Sequence, residues 1–181
     1  MNSLRISFSK TPILSLSKTP ITQGGDEIYV ASMPLRAPRG PPQLIMAAAY
    51  SLNSWNLQHF MVILKPASPS SQLIVCDFQP EDPEDVKISF AALSGRTIPG
   101  IVLVRKLTKL PKSGCWYVGS SDDPCIHKVR NFNNCWDTEL KIWEHDCRHY
   151  TNGLVEYLTG EHNVLGRLRG QVDGLDKAVT S

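Results

Sequence analysis

One cysteine stands where a helix should begin. In His145-Asp-Cys-Arg-His149 the residue before Cys147 is Asp146, a strong helix-capping type. Tyr150, Leu154, Val155 and Leu158 follow at helical spacing and Gly160 supplies a stop, which predicts a helix over Cys147–Leu158. A thiol in the first turn of a helix meets free N–H groups and a partial positive charge, both of which favour thiolate. That helix end supplies roughly 0.3–1 kcal/mol, which is less than one pKa unit at about 1.36 kcal/mol. A free cysteine starts near a pKa of about 8.5, so a nucleophile at neutral pH needs a second group. Histidine is the side chain that serves cysteine in this way.

Five histidines are available. His59 lies on an apolar run, Leu57–Lys65, that predicts a buried strand and hence a rigid place for a general base. His145 and His149 flank Cys147, but His149 is two residues on and points to another side of the helix. Their four-residue spacing could hold a metal, yet the Asp146 cap leaves His145 outside the helix. No metal centre and no cofactor is therefore expected. His127 and His162 read as surface residues. The plain alternatives are a small buried thiol for Cys147, a satisfied core histidine for His59, and core roles for Trp136 and Trp143.

These groups need elements to hold them. Glu27–Ser32 predicts a first strand, Arg36–Pro42 a loop and Gln43–Leu52 a helix opened by Pro41 and Pro42. Leu57–Lys65 and Leu73–Phe78 predict a hairpin around a Pro/Ser turn. Residues 81–85 are acidic and read as a loop tip. Gly100–Leu107 predicts a third strand and Trp116–Gly119 a short one. Asp122 or Asp123 is expected to cap a helix whose face is Ile126, Val129, Phe132 and Trp136. Leu140–Trp143 reads as a brief strand before Asp146. The expected fold class is α+β, a small antiparallel sheet packed against helices over residues 26–160. Residues 161–181 read as a polar, Gly-rich tail that frays.

Composition limits the function classes. The chain has 181 residues, 41% hydrophobic and 20% charged, with net charge +2. That is globular, and too weakly charged to predict nucleic-acid binding. No run approaches the roughly 18–20 apolar residues of a membrane span, so no integral membrane segment is expected. Five cysteines, an odd number without a Cys-x-x-Cys pair, argue against a zinc ribbon, and with no secretory-type continuous apolar segment an extracellular disulfide framework is not expected. Residues 1–25 hold Arg5, Lys10 and Lys18 with many Ser and Thr; the first carboxylate is Asp26. This is transit-peptide composition. Pro12 and Pro20, within the repeated Ser-Lys-Thr-Pro-Ile, favour a plastid-type address over a mitochondrial helix. An untargeted tail, with a cytoplasmic protein, is the alternative.

At this point the residues resemble a family. A histidine leading an apolar strand (Leu57–Pro66) followed by Asp146-Cys-Arg-His-Tyr150 opening a helix is similar to the lecithin–retinol acyltransferase-like (LRAT-like) proteins. Those are circularly permuted papain-like thiol enzymes of the NlpC type, with Asn-Cys-Glu-His-Phe at the later motif. The likeness covers roughly residues 55–160. It implies a permuted papain-like domain, Cys147 as nucleophile and His59 as general base. Asp77 falls where the family has a second histidine, which implies an orienter for His59. His149 is then structural, donating to backbone near the helix start, and first-turn N–H groups stabilise the oxyanion. The implied activity is a hydrolase or acyltransferase working through an acyl-thioester on Cys147. No hydrophobic anchor like that of the acyltransferases is seen, so a soluble small acyl, amide or peptide substrate is expected. Two alternatives stay open. One is a non-catalytic binding or assembly factor on the same fold in a plastid; the other is a PPPDE-type isopeptidase.

Overall fold

The computed structural model describes residues 25–34, 58–68, 72–121 and 123–179. Residues 1–24, the predicted helix Gln43–Leu52, Leu57, part of the hairpin turn and Asp122 lie outside them. Six strands form one antiparallel sheet: β1 (Asp26–Pro34), β2 (Gln58–Lys65), β3 (Leu73–Pro80), β4 (Ile98–Leu107), β5 (Cys115–Ser121) and β6 (Glu139–Leu140). Their order is β5-β1-β2-β3-β4-β6. Four helices accompany them among the described residues: α1 (Val86–Leu93), α2 (Cys125–Cys135), α3 (Cys147–Thr159) and α4 (Val164–Val179). The fold class is mixed α+β, as composition and periodicity predict.

β2 lies at the centre because nearly every residue in it can be buried. It pairs with β1 from Glu27↔Lys65 to Pro34↔Gln58 and with β3 from Val62↔Cys76 to Leu64↔Ile74. Alternation sends Phe60, Val62 and Leu64 to one face, with Cys76 and Phe78, where they meet Tyr150, Leu154 and Val155 of α3. It sends Met61 and Ile63 to the other, with Leu73 and Val75. His59 and Asp77 have the parity of this second set. Arg105 shares it too, because Val75 is its cross-strand partner.

Phe78, Phe132, Trp136 and Tyr150 form the aromatic centre between sheet and helices, with ring centroids 5.3–6.2 Å apart for five of their pairs. The Tyr150 hydroxyl donates to Asn133 Oδ1 at 2.7 Å, tying α3 to α2. Gly160 ends α3 in the left-handed region at φ 78°, as its position predicts.

Several elements differ from expectation. The acidic run 81–85 is a turn, as expected, but a helix follows that was not: Asp85 accepts from Lys87 N–H at 2.7 Å and caps α1. Phe90 and Leu93 of α1 point to solvent, so no inward apolar stripe announces it. The cap of α2 comes from a distance. Asp26 Oδ2 accepts the Cys125 N–H at 2.7 Å, whereas Asp123 pairs with Lys128. The strand expected over Leu140–Trp143 stops at Leu140. Lys141 and His145 then bridge across a tight turn that puts Trp143 at φ 75°, a backbone no strand contains.

The region after residue 160 is the largest correction. Instead of fraying, it forms α4. Val164, Leu165 and Leu168 are buried in the main core, and the Leu165 N–H donates to Asn152 Oδ1 of α3 at 3.0 Å. Three apolar residues in one turn are enough to dock a helix whose other positions are polar. Leu168→Ala is expected to lower unfolding stability by about 2–4 kcal/mol, measured by urea denaturation. A loss below about 0.5 kcal/mol, the size of a surface effect, would mean that α4 is not docked.

Candidate functional site

The N-terminal end of β2 is where the chemistry-bearing residues converge. His59 is the second residue of that strand, Asp77 lies late on β3, and Cys147 is the first residue of α3. The His59 Nε2 lies 3.0 Å from Asp77 Oδ2, with His59 7% and Asp77 0% exposed. Cys147 lies near enough to the His59 side chain to help raise its pKa, and it is 8% exposed. An ionised carboxylate only accepts, so the Nε2–H donates to Asp77. All three predicted residues therefore meet, although far apart along the chain.

A fourth residue joins them that the sequence did not single out. Arg105 Nη2 on β4 donates to Asp77 Oδ1 at 2.6 Å. Asp77 thus holds one cation on each oxygen. Burial opposes its charge, yet the His59 and Arg105 contacts outweigh burial and hold the carboxyl below its usual range. His59 shows the converse. Burial alone would lower its pKa, but the Asp77 and Cys147 contacts push it up to about 9. The signal for Arg105 was a basic pair, Arg105-Lys106, ending an apolar run, which says nothing of either partner before the register is known.

The other thiols are poorer nucleophiles. Burial pushes Cys76 up to about 12 and raises Cys115 and Cys125 as well. Cys76 faces the core and not Asp77's side of the strand, as alternation predicts.

The start of α3 is a built cap. Asp146 accepts N–H bonds from Trp143 at 2.9 Å and from Arg148 at 3.0 Å, and its Oδ2 takes the Arg148 guanidinium. Burial opposes its charge, but these bonds lower its pKa to about 2. His149 has a different part from the one expected: its Nδ1 lies 3.0 Å from Asp146 Oδ1 and 3.3 Å from the Asp146 backbone nitrogen, and it does not donate to backbone. Together they form a capping box. The cap also occupies the Arg148 N–H, which leaves the amide of Cys147 itself as the first-turn donor nearest the thiol. His145 Nε2–H donates to the Asp137 carbonyl at 2.9 Å, and the ring stacks on Trp136. Neither histidine is aimed at a shared metal position, and no metal-type cluster occurs among the described residues. Trp143 is 57% exposed and not a core residue.

Asp146→Asn tests the cap. It keeps an accepting oxygen but removes the charge that Arg148 holds, so a loss of about 1–2 kcal/mol is expected at pH 7. The sign with pH follows from the depressed value. The carboxylate's contribution is complete above about 4 and disappears as pH falls through about 2. Wild type and variant should therefore converge in stability toward pH 2. Parallel denaturation curves at pH 7 and pH 2.5 would contradict this.

No known family model matches the chain, and neither a curated protein nor a solved structure matches it at a significant level. Among the described residues no helix is long and apolar enough to cross a membrane.

Proposed function

We propose that this protein is a cysteine-dependent hydrolase or acyltransferase that carries an acyl group on Cys147. The observation supporting this reading is the buried Asp77–His59 pair placed against a thiol at a helix start. In this mechanism Cys147 Sγ attacks a carbonyl carbon. His59 Nδ1 holds the thiol proton and returns it to the leaving group. Asp77 keeps the ring in the tautomer with hydrogen on Nε2 and stabilises the imidazolium. The Cys147 amide stabilises the developing oxyanion. Water, or a second nucleophile, then releases the acyl group with His59 as base.

The order His59, Asp77, Cys147, with strands first and the thiol helix after them, is that of a circularly permuted papain-like domain, which we take this one to be. The substrate class is a small acyl ester, thioester, amide or peptide. The test is intact-mass detection of an acyl adduct. The full chain, mixed with p-nitrophenyl esters of graded chain length, should gain one acyl mass, localised to Cys147 by peptide mapping and absent in Cys147→Ser. Adducts spread over several cysteines, or none at any chain length, would reject the acyl-enzyme. A binding factor on this fold would then be favoured.

A further inference from the structure

The sheet has two edges, and they are finished differently. At β5 the pairing with β1 shifts register between Ile28 and Tyr29, an irregularity of the kind that twists an edge out of use. On the other side β6 covers only the start of β4. Ile98 pairs with Leu140 and Pro99 with Glu139, and the Gly100 N–H donates to the Thr138 carbonyl at 2.8 Å. From Ile101 to Leu107 no strand of the described residues lies outside β4. Ile101-Val-Leu-Val104 has no proline, glycine or charge to blunt it, and Val104 is 52% exposed. An open apolar edge of this kind is a template for another strand.

The register says which backbone groups are free. In an antiparallel sheet, residues whose N–H and C=O point to one neighbour alternate with residues whose groups point to the other. The Pro99 carbonyl points to the β3 side, where it accepts the Glu81 N–H at 3.1 Å, and Gly100 points outward to Thr138. By the same alternation Val102, Val104 and Lys106 present N–H and C=O outward, without a strand partner among the described residues. The side chains of Val102 and Val104 share the face of their cross-strand partners Phe78 and Cys76, which is the α3 side of the sheet.

The limits of this opening make it fit itself. β6 and Thr138 close it before Ile101, β4 ends at Leu107, and Val104 is midway. A second copy laid antiparallel, with Val104 opposite Val104, ends its own β4 where β6 begins on the first, so no strand is displaced. In that register the two Val104 residues exchange two hydrogen bonds and each Val102 exchanges two with the opposite Lys106, six in all. Arg105 then stands opposite Leu103, so no like charges face each other directly. α1 packs beside β4 on the α3 side and leaves Phe90 and Leu93 exposed, apolar surface next to the joint. We propose that the β4 edge is a self-association surface, where two copies of this chain pair through residues 101–107 into one continuous antiparallel sheet about a twofold axis at Val104. The inference does not rest on thiol chemistry.

The experiment is sedimentation velocity of the full chain over a concentration series, joined to hydrogen exchange at the Val102, Val104 and Lys106 amides. Wild type should reach twice the chain mass, with those three amides protected in the dimer and losing protection on dilution. Val104→Lys sets two positive charges against each other at the axis and Val104→Glu two negative ones, so each variant alone should associate at least tenfold more weakly. Mixed together, the two variants should pair again. Val104 is more than half exposed, so both should fold and keep the wild-type circular dichroism. A wild type still monomeric at about 100 μM, or a dimer whose three amides exchange freely, would overturn the proposal. So would a dimer that Val104→Lys leaves as tight as wild type, or mixed variants that associate no better than either alone.

Discussion

His59→Ala should slow iodoacetamide labelling of Cys147 at pH 7 by at least tenfold and reduce acyl transfer by about 10²–10⁴. The reason lies in what surrounds the ring. A helix end alone contributes too little to sustain a thiolate at neutral pH. A charged imidazolium beside the thiol adds the missing stabilisation, and burial strengthens it by excluding water. His59 is pushed up to about 9 despite that burial, so its charge persists at pH 7. Wild type should therefore label faster than the variant at pH 7, where the His59 charge is present. Identical profiles in both proteins would show that no activated thiol exists. Stability should follow the same charge. A histidine whose pKa is raised on folding stabilises most fully below about 6.5, and this share is lost as pH rises through about 9. The stability gap between wild type and His59→Ala should accordingly narrow from pH 6 to pH 9.5.

Asp77 is the second position of large effect. It is fully buried and holds His59 at 3.0 Å and Arg105 at 2.6 Å. Asp77→Ala leaves two donors facing a void, and breaking a buried pair in this way costs about 3–5 kcal/mol. Asp77→Asn separates structure from chemistry. The amide keeps the volume and one accepting oxygen, but its NH2 opposes either the Nε2–H or the guanidinium. Unfolding stability should fall by less than in Asp77→Ala. Acyl transfer should still drop by about 10²–10⁴, because the ring loses its enforced tautomer. The imidazolium also loses its counter-charge, so labelling of Cys147 at pH 7 should be slower than in wild type. Urea denaturation and the labelling profile read the two effects separately. An Asp77→Asn protein with wild-type labelling at every pH would remove Asp77 from the site. Arg105→Gln should be milder, since that side chain is 42% exposed and water can replace part of its contact.

The local signals in the chain were strong where one element decides its own environment. Gln58–Lys65 is apolar at successive positions, and such a segment can only be comfortable with both faces covered; it is the central strand. Asp146, Cys147 and Gly160 mark a helix by its start and stop, and α3 begins and ends there within a residue. Even the order of the site residues was legible, since a histidine on a buried strand and a thiol at a helix start are both local facts.

What lay beyond the sequence were the pairings. That Arg105 meets Asp77 depends on the β3–β4 register, in which a one-residue slip would send either side chain to the opposite face. That Asp26 caps α2 depends on β1 lying beside β5. The buried turn of α4 was hidden because three apolar residues among glycines and charges give no sustained period until α3 supplies a surface for them. Trp143 looked like strand or core because its type favours both, and only the closed turn before Asp146 forces it into left-handed backbone and out to solvent. Residue type and spacing determined which groups could do chemistry and on which elements they ride, because capping, helical period and strand alternation act over a few residues. The tertiary structure alone decided that the His59 ring, the Asp77 carboxylate, the Arg105 guanidinium and the Cys147 thiol share one place, because register and helix docking are settled by burial summed over the whole sheet.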